Sequence, residues 1–435
     1  WLKPLAQGRK LGRKLPGRKL PMPAAKDDAK EADQLAEAEE QISLMEDLVD
    51  YYFGADKEVK MKQAFNVIEK CVSPLLDARV DIRSQDLRGR ALFLRGRALS
   101  LLGGQERQAE ELLTKSIKLN PKLVEAWNAL GEAYWNMQDV NQAKKCFEQA
   151  LEICGPNAVS LRNLSMALRA VGSDGATKSQ NYADALAKAK EAVQLGPGDP
   201  LNWETLGNAY VGDFFINAKR PDEINRALIA YEKAERAYDG LGKGNPTLHF
   251  NRGMAAKYIE EYDLALRSFQ KAHEIGAKGA AEEGKNVFDL VQRCAGCVER
   301  KHDFKVKRLK ELAEGFPSDK ESSRTLKEVQ AKENEEASLV ARVVSVVDRK
   351  DEVPVILICC DREGDFFAMS VYNAELQKLA ESVVPMKSLL SVPRAKSRQI
   401  AVTIPTGKKW SYPCVIVGHP GDLTAVGGSS LGAAA

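Results

Sequence analysis

Histidine is scarce in this chain, with four in 435 residues. No HExxH, GxSxG, GxxxxGKS or GxGxxG arrangement stands where it would carry chemistry, and no nucleophile is set beside a base. Both absences speak against an enzyme. The eight cysteines lack the spacing of a disulfide framework, which suits a reducing compartment. Cys294 and Cys297 form a CAGC pair with His302 close behind, but a zinc site needs four ligands and no second pair matches. Cys359 and Cys360 are adjacent in a strand-like run, so they point to opposite faces. These are read as structural cysteines, and no metal or other cofactor is expected. Long hydrophobic runs are also missing, with none near the roughly 20 residues that span a bilayer, so no membrane partner is expected. Nor does one sign of charge prevail: 64 Lys and Arg face 61 Asp and Glu, a net +3. An electrostatic partner must therefore meet a local patch rather than the whole surface.

What is present is periodic. Over residues 124–157, Trp127, Leu130, Gly131, Tyr134, Ala143, Phe147 and Ala150 fall at the spacings of a tetratricopeptide repeat, a helix–turn–helix unit of roughly 34 residues. Trp127, Leu130 and Tyr134 make one apolar stripe. Gly131 and Ala143 are small where the two helices cross closely. One unit cannot bury its own stripe, so neighbours must stack on it.

Related units follow the small-residue positions. One carries Gly96, Leu99, Ala109, Leu113 and Pro121. Another has Leu161, Leu164, Ser165 and Leu168, then Ala185, Ala189 and Ala192 after about eight inserted residues. Trp203, Leu206, Gly207 and Tyr210 precede Ala227, Tyr231 and Ala234, again with a turn about eight residues longer. Gly253, Tyr262, Ala265, Phe269 and Ala272 close the series. Insertions confined to turns are what stacked pairs tolerate. Leu35, Ile42, Leu44, Met45, Leu48 and Val49 mark an N-terminal cap, and residues 281–312 read as a long closing helix.

The expected division is a disordered segment or gene-model extension over 1–31, a tetratricopeptide-repeat superhelix with capping helices over 32–312, a charged linker over 313–337, an OB-fold over 338–420 and a disordered tail over 421–435. The stretch 1–21 repeats GRKL without an acid, which leaves organelle targeting or a basic arm for nucleic acid as its alternative readings. The OB-fold expectation rests on five β-branched runs: SLVARVVSVVDRK, VPVILICCDREG, DFFAMSVYNA, RQIAVTIPTGK and KWSYPCVIVGH. The fold class is therefore multidomain, an all-α superhelix followed by a small all-β barrel.

Two surfaces are candidates for binding. In a repeat superhelix the groove is lined by the first helix of each pair. Polar residues there, Asn128, Arg162, Asn163, Arg169, Asn202, Asn208 and Arg252, suit an extended peptide, amides holding backbone and arginines holding carboxylates. Lys305, Lys307, Arg308 and Lys310, with Arg300 and Lys301, form a basic helix end that is either a solvated face or a phosphate contact. The barrel could also stack single-stranded nucleic acid on Phe366, Phe367, Tyr372, Trp410 or Tyr412, though some of these must fill its core, or it could equally be a protein-binding module.

The pieces LVEAWNALGEAYW, SLRNLSMALR, LNWETLGNAY, NPTLHFNR and FFAMSVYN resemble the tetratricopeptide repeat protein 5 family, the stress-responsive activator cofactors, from about residue 35 to 420. The resemblance implies a non-enzymatic adaptor of cytoplasm and nucleus. Family members bind the nascent tubulin N-terminus, Met-Arg-Glu, at the ribosome and trigger decay of tubulin mRNA. They also act as transcription cofactors bridging an acetyltransferase to transcription factors. By the same resemblance the family's arginine for the peptide glutamate falls on Arg169. One acid for the peptide arginine falls on Thr247, and a second falls near Ala281, with Glu282 and Glu283 beside it. The lysines that touch ribosomal RNA fall on Lys305 and Lys307.

Overall fold

The computed structural model describes residues 26–51, 56–76, 85–172, 174–218, 221–240, 244–300, 305, 311–317, 324–331, 337–347, 354–372, 379, 382–403 and 409–426. Helices come in antiparallel pairs: α1 (Lys26–Tyr51) with α2 (Lys57–Leu76), α3 (Gln85–Leu102) with α4 (Glu106–Leu119), and α5 (Val124–Asn136) with α6 (Val140–Cys154). Then come α7 (Ala158–Ala170) with α8 (Gly175–Leu195), α9 (Pro200–Asp213) with α10 (Pro221–Gly240), and α11 (Pro246–Tyr258) with α12 (Tyr262–Glu274), closed by α13 (Ala280–Glu299).

Helix starts follow local chemistry. Asn157, Asp199 and Asn245 each accept a backbone N–H of the first turn, and proline occupies the first position of α9 and α11, where no donor is needed. The small positions have a specific reason. A Cβ on Gly207 would stand 2.5 Å from the Tyr231 ring, and one on Gly253 would stand 2.7 Å from Phe269. Gly131 is closer still to Phe147. The second helix of each pair thus presses a buried aromatic ring onto bare backbone of the first.

The two insertions are not loops. The first extends α8 to 21 residues, and the second continues α9 as a π-helical turn, Phe214–Ala218. They meet: Asn217 donates to the Ser179 carbonyl (3.1 Å), and the Ser179 hydroxyl donates back to Asn217 (2.6 Å). Helix-compatible residues with a place to pack propagate the helix, because each added residue gains a hydrogen bond once the nucleus exists. In the cap, Leu44 is exposed rather than on the buried stripe formed by Leu35, Ile42, Met45 and Leu48.

The strands are β1 (Ala337–Val347), β2 (Val355–Cys360), β3 (Phe366–Val371), β4 (Leu389–Thr403), β5 (Lys409–Val417) and β6 (Thr424–Ala425). They run in the order β1-β2-β3-β5-β4-β6, and β1 also pairs with β4, which closes a five-stranded barrel. Among the described strand pairs β3 and β5 are the parallel one. Strand β4 starts at Leu389, well before the run RQIAVTIPTGK that begins at Arg398, and carries Pro393 at an exposed position. Residues 421–426, expected in the tail, form the end of a 3-10 turn and the β6 pairing. The expected linker is likewise partly built in. Helix α14 (Leu326–Gln330) starts at Thr325 with a reciprocal Thr325–Glu328 cap, and its Leu326 and Val329 enter the barrel core. Residues 26–31, expected to be disordered, lie in α1; residues 1–25 and 427–435 lie outside the described residues.

Alternation along β2 and β3 buries both faces. Leu357, Cys359, Phe367 and Met369 fill the barrel interior. Ile356, Ile358, Cys360, Phe366 and Ala368 pack outward with Ile400, Tyr412 and Cys414 against Phe269, Val287, Leu290, Val291 and Cys294 of α12 and α13. The capping position of the array is therefore filled by the barrel wall. At the seam, Arg398 donates to the Ile259 carbonyl and to the Glu260 carboxylate, both at 2.8 Å, and Ser370 donates to the same carboxylate at 2.7 Å. Arg342 fastens residues 311–317 by donating to the carbonyls of Leu312 (2.7 Å) and Glu314.

Candidate peptide-binding groove

First helices of successive pairs touch one another, α3 with α5, α5 with α7, α7 with α9 and α9 with α11, which sets them on the inner wall of the curved stack. Most charges on that wall are already neutralised. Arg97 on α3 lies between Glu46 of α1 (3.0 Å) and Glu132 of α5, whose other oxygen accepts from Asn163 of α7 (3.0 Å). Burial opposes the Arg97 charge, but Glu132 and Glu46 outweigh it and hold its pKa above the ordinary arginine range. At the far end Arg252 pairs with Glu235, and Lys257 pairs with Glu283 at 2.7 Å.

Arg169 differs. It closes α7, half-buried, and its Nε is enclosed without a hydrogen-bond partner. Among the described residues no carboxylate makes an ion pair with it. Desolvation draws its pKa below the ordinary arginine value, and its polar neighbours are the neutral hydroxyls of Tyr231 and Tyr182. Gly212 on α9 leaves the space: a Cβ there would come 2.7 Å from the Tyr182 ring and 3.5 Å from the Arg169 Cδ. Tyr182 belongs to the lengthened α8, so the insertion helps build this pocket wall. Sequence reasoning singled out Arg169 but not Tyr182, Gly212 or the Arg97–Glu132 pair. Repeat spacing counted from Trp127 places Glu132 on the inner wall and would have found it.

The other expected peptide ligands are largely spoken for. Asn202 is fully buried and donates to the Ala192 (3.4 Å) and Gly196 (2.9 Å) carbonyls, so its amide caps a turn. Asn128 is buried and accepts from Ser160 (2.9 Å), and Asn163 is buried against Glu132. Arg162 pairs with Asp199 at 2.9 Å. The Asn208 oxygen accepts from Tyr231 (2.7 Å) and from Asn251 (3.1 Å). Glu282 is exposed at the start of α13, and Thr247 is exposed at the start of α11. Lys305 is exposed and outside a helix; Lys307, Arg308 and Lys310 lie outside the described residues.

The barrel offers little for base stacking. Phe366, Phe367, Tyr372 and Tyr412 are buried, and Trp410 is half-buried against the seam. The outward ring of Tyr412 faces the helices rather than solvent. Cys294 is buried at the same seam. Among the described residues there is no cluster of three His, Cys, Asp or Glu able to hold a metal, and no helix is long and apolar enough to cross a membrane.

Comparison with known proteins places this geometry. The profile of the tetratricopeptide repeat protein 5 OB fold domain matches residues 320–432, and a tetratricopeptide repeat profile matches 124–157. The chain is similar to tetratricopeptide repeat protein 5 of Mus musculus, 32% identical over 371 residues, 79% of this chain and 84% of that one. It is 35% identical to the Bos taurus protein over 304 residues, 65% of this chain and 68% of that one. A solved repeat protein of Thermus thermophilus is 19% identical, covering 46% of this chain and 98% of that chain, with a TM-score of 0.38. On the two mammalian matches, the chain belongs to the tetratricopeptide repeat protein 5 family.

Proposed function

We propose that this protein is a non-enzymatic adaptor that clamps an extended peptide along its inner wall, with Arg169 receiving a carboxylate of the peptide. The observation that supports this is the half-buried guanidinium without an acid among the described residues, on a wall where Arg97, Arg162, Arg252 and Lys257 are each paired. An unpaired buried charge costs stability, and its retention is explained when a partner supplies the counter-charge. A carboxylate meeting it in a drying groove forms a bidentate pair, the strongest class of charge-assisted hydrogen bond.

In its specific form the peptide is the Met-Arg-Glu start of nascent tubulin, whose glutamate meets Arg169. The peptide arginine then needs an acid. Thr247 supplies none and Glu283 is engaged by Lys257, so the exposed Glu282 takes that part. Lys305 and the basic stretch behind it meet ribosomal RNA, and the outcome is tubulin mRNA decay. Pull-down with a tubulin N-terminal peptide tests the groove: wild type binds and Arg169→Glu does not, and equal capture by both rejects the assignment. Lys305→Glu with Lys307→Glu is expected to lower ribosome co-sedimentation at moderate salt; unchanged sedimentation removes the docking role.

A further inference from the structure

A cleft of about 480 Å³ lies away from Arg169, where α2, α3 and α4 meet near the start of the array. Its floor is Leu76, Leu92, Leu112 and Leu119, all half-buried. Its rim is Arg88, Arg95, Lys115 and Lys118, and among the described residues no acidic side chain lines it. Arg95 is paired with Glu69 at 2.9 Å, and Lys115 reaches Glu111 only at 4.0 Å with both groups exposed. Arg88 and Lys118 make no ion pair among the described residues and are exposed.

The spacing describes an occupant. Arg88, Leu92 and Arg95 recur at four and three residues along α3, while Leu112, Lys115 and Leu119 recur at three and four along α4. Two ridges of two helical turns leave a trough about 10 Å long between them. A third helix fits such a trough by laying an apolar stripe into it, as helix-in-groove partners do. With Arg88, Lys115 and Lys118 on the described rim, acidic residues flanking that stripe complement it. We propose that this cleft docks an acidic amphipathic helix of a partner protein, separately from the inner-wall peptide site. The leucine floor sets the apolar register. The rim sets charge selection and makes association salt-dependent.

The probe is a fluorescent synthetic peptide with leucines at i, i+3, i+4 and i+7 and glutamates elsewhere, titrated by anisotropy into the full-length chain. Controls are the same composition with the leucines scattered off helical spacing, leucine-free polyglutamate, and a single-stranded RNA. The periodic peptide is expected to bind in a salt-sensitive way and the controls at least about tenfold more weakly. Arg88→Glu with Lys118→Glu, both at exposed positions, is expected to weaken the periodic peptide by about tenfold. The Arg169→Glu variant is expected to bind it as wild type does. Equal binding by polyglutamate or RNA would reduce the cleft to a general anion patch and overturn the proposal. So would no binding at low salt, unchanged binding by the double variant, or loss of binding in Arg169→Glu.

Discussion

Arg398 of β4 reaches across the seam to Glu260, the turn residue between α11 and α12, at 2.8 Å. Glu260 holds a left-handed backbone, φ 60°, like Gln138 (φ 64°) in the equivalent turn of α5 and α6. A non-glycine residue there carries a conformational cost of about 1 kcal/mol. Its carboxylate, 1% exposed, offsets that cost by taking Arg398 and Ser370 together. Array and barrel are thereby joined by a buried charge as well as by apolar packing.

Removing the cation should therefore hurt more than removing both partners. Arg398→Ala is expected to cost about 3 kcal/mol by leaving Glu260 buried and unpaired. Glu260→Gly combined with Arg398→Met should recover most of that, since glycine accepts the turn geometry. Urea unfolding of the three proteins checks this; equal midpoints for single and double variants would show the pair to be inert.

Gly131→Ala is expected to destabilise by about 1–3 kcal/mol, because the Phe147 ring is buried and has nowhere to move. Gly207→Ala should act alike through Tyr231. An alanine on the exposed Gly198, which meets nothing within 4 Å, is the control. Thermal melts of the three variants give the comparison.

Arg169→Met is expected to leave stability unchanged or raise it by up to about 2 kcal/mol, since it removes an unpaired, half-buried charge while keeping the bulk. Peptide capture should be lost in the same variant. A marked fall in melting temperature would instead make Arg169 a structural residue.

Acid should weaken the last repeat. Burial, followed by Lys271, draws His249 below its ordinary value of 6.5, although Glu235 lies 3.8 Å away. The unfolded chain then binds the proton more readily, so stability is full above pH 6.5 and falls as pH drops below it. Glu235 is held below 4.5 against its own desolvation by the Lys271 hydrogen bond and the Arg252 charge, so its contribution disappears at still lower pH. His249→Gln should flatten the first of these losses in a denaturation series from pH 7.5 to 5.5, and an unaltered slope would assign it elsewhere.

A barrel cut from the array, residues 320–426, should expose Ile356, Ile358, Phe366 and Tyr412 together. It is expected to self-associate in light scattering, whereas the full chain does not do so through that face. A monomeric fragment would mean that the seam is dispensable.

Much of this was legible along the chain, and the reason is periodicity. Gly131 with Phe147, Gly207 with Tyr231 and Gly253 with Phe269 repeat a local packing rule, so helix pairs and their stacking follow from spacing alone. The five barrel strands were equally readable from their β-branched runs, because strand alternation is also local. Arg169 was found by its place on a first helix and by the family resemblance. Its lack of an acid was not, because that depends on Tyr182, Gly212 and Tyr231 from three other helices. The same holds for Asn202, whose amide is consumed by carbonyls of the preceding turn, and for Tyr412, whose ring the array covers. Sequence by itself determined the paired repeat helices and the five main strands, since those depend on neighbours within a few residues, but not the helical insertions, α14 or β6. Tertiary structure alone decided which polar groups stay free and which barrel face stays open. Burial and charge pairing are set by residues more than a hundred positions apart, as Glu260 and Arg398 are.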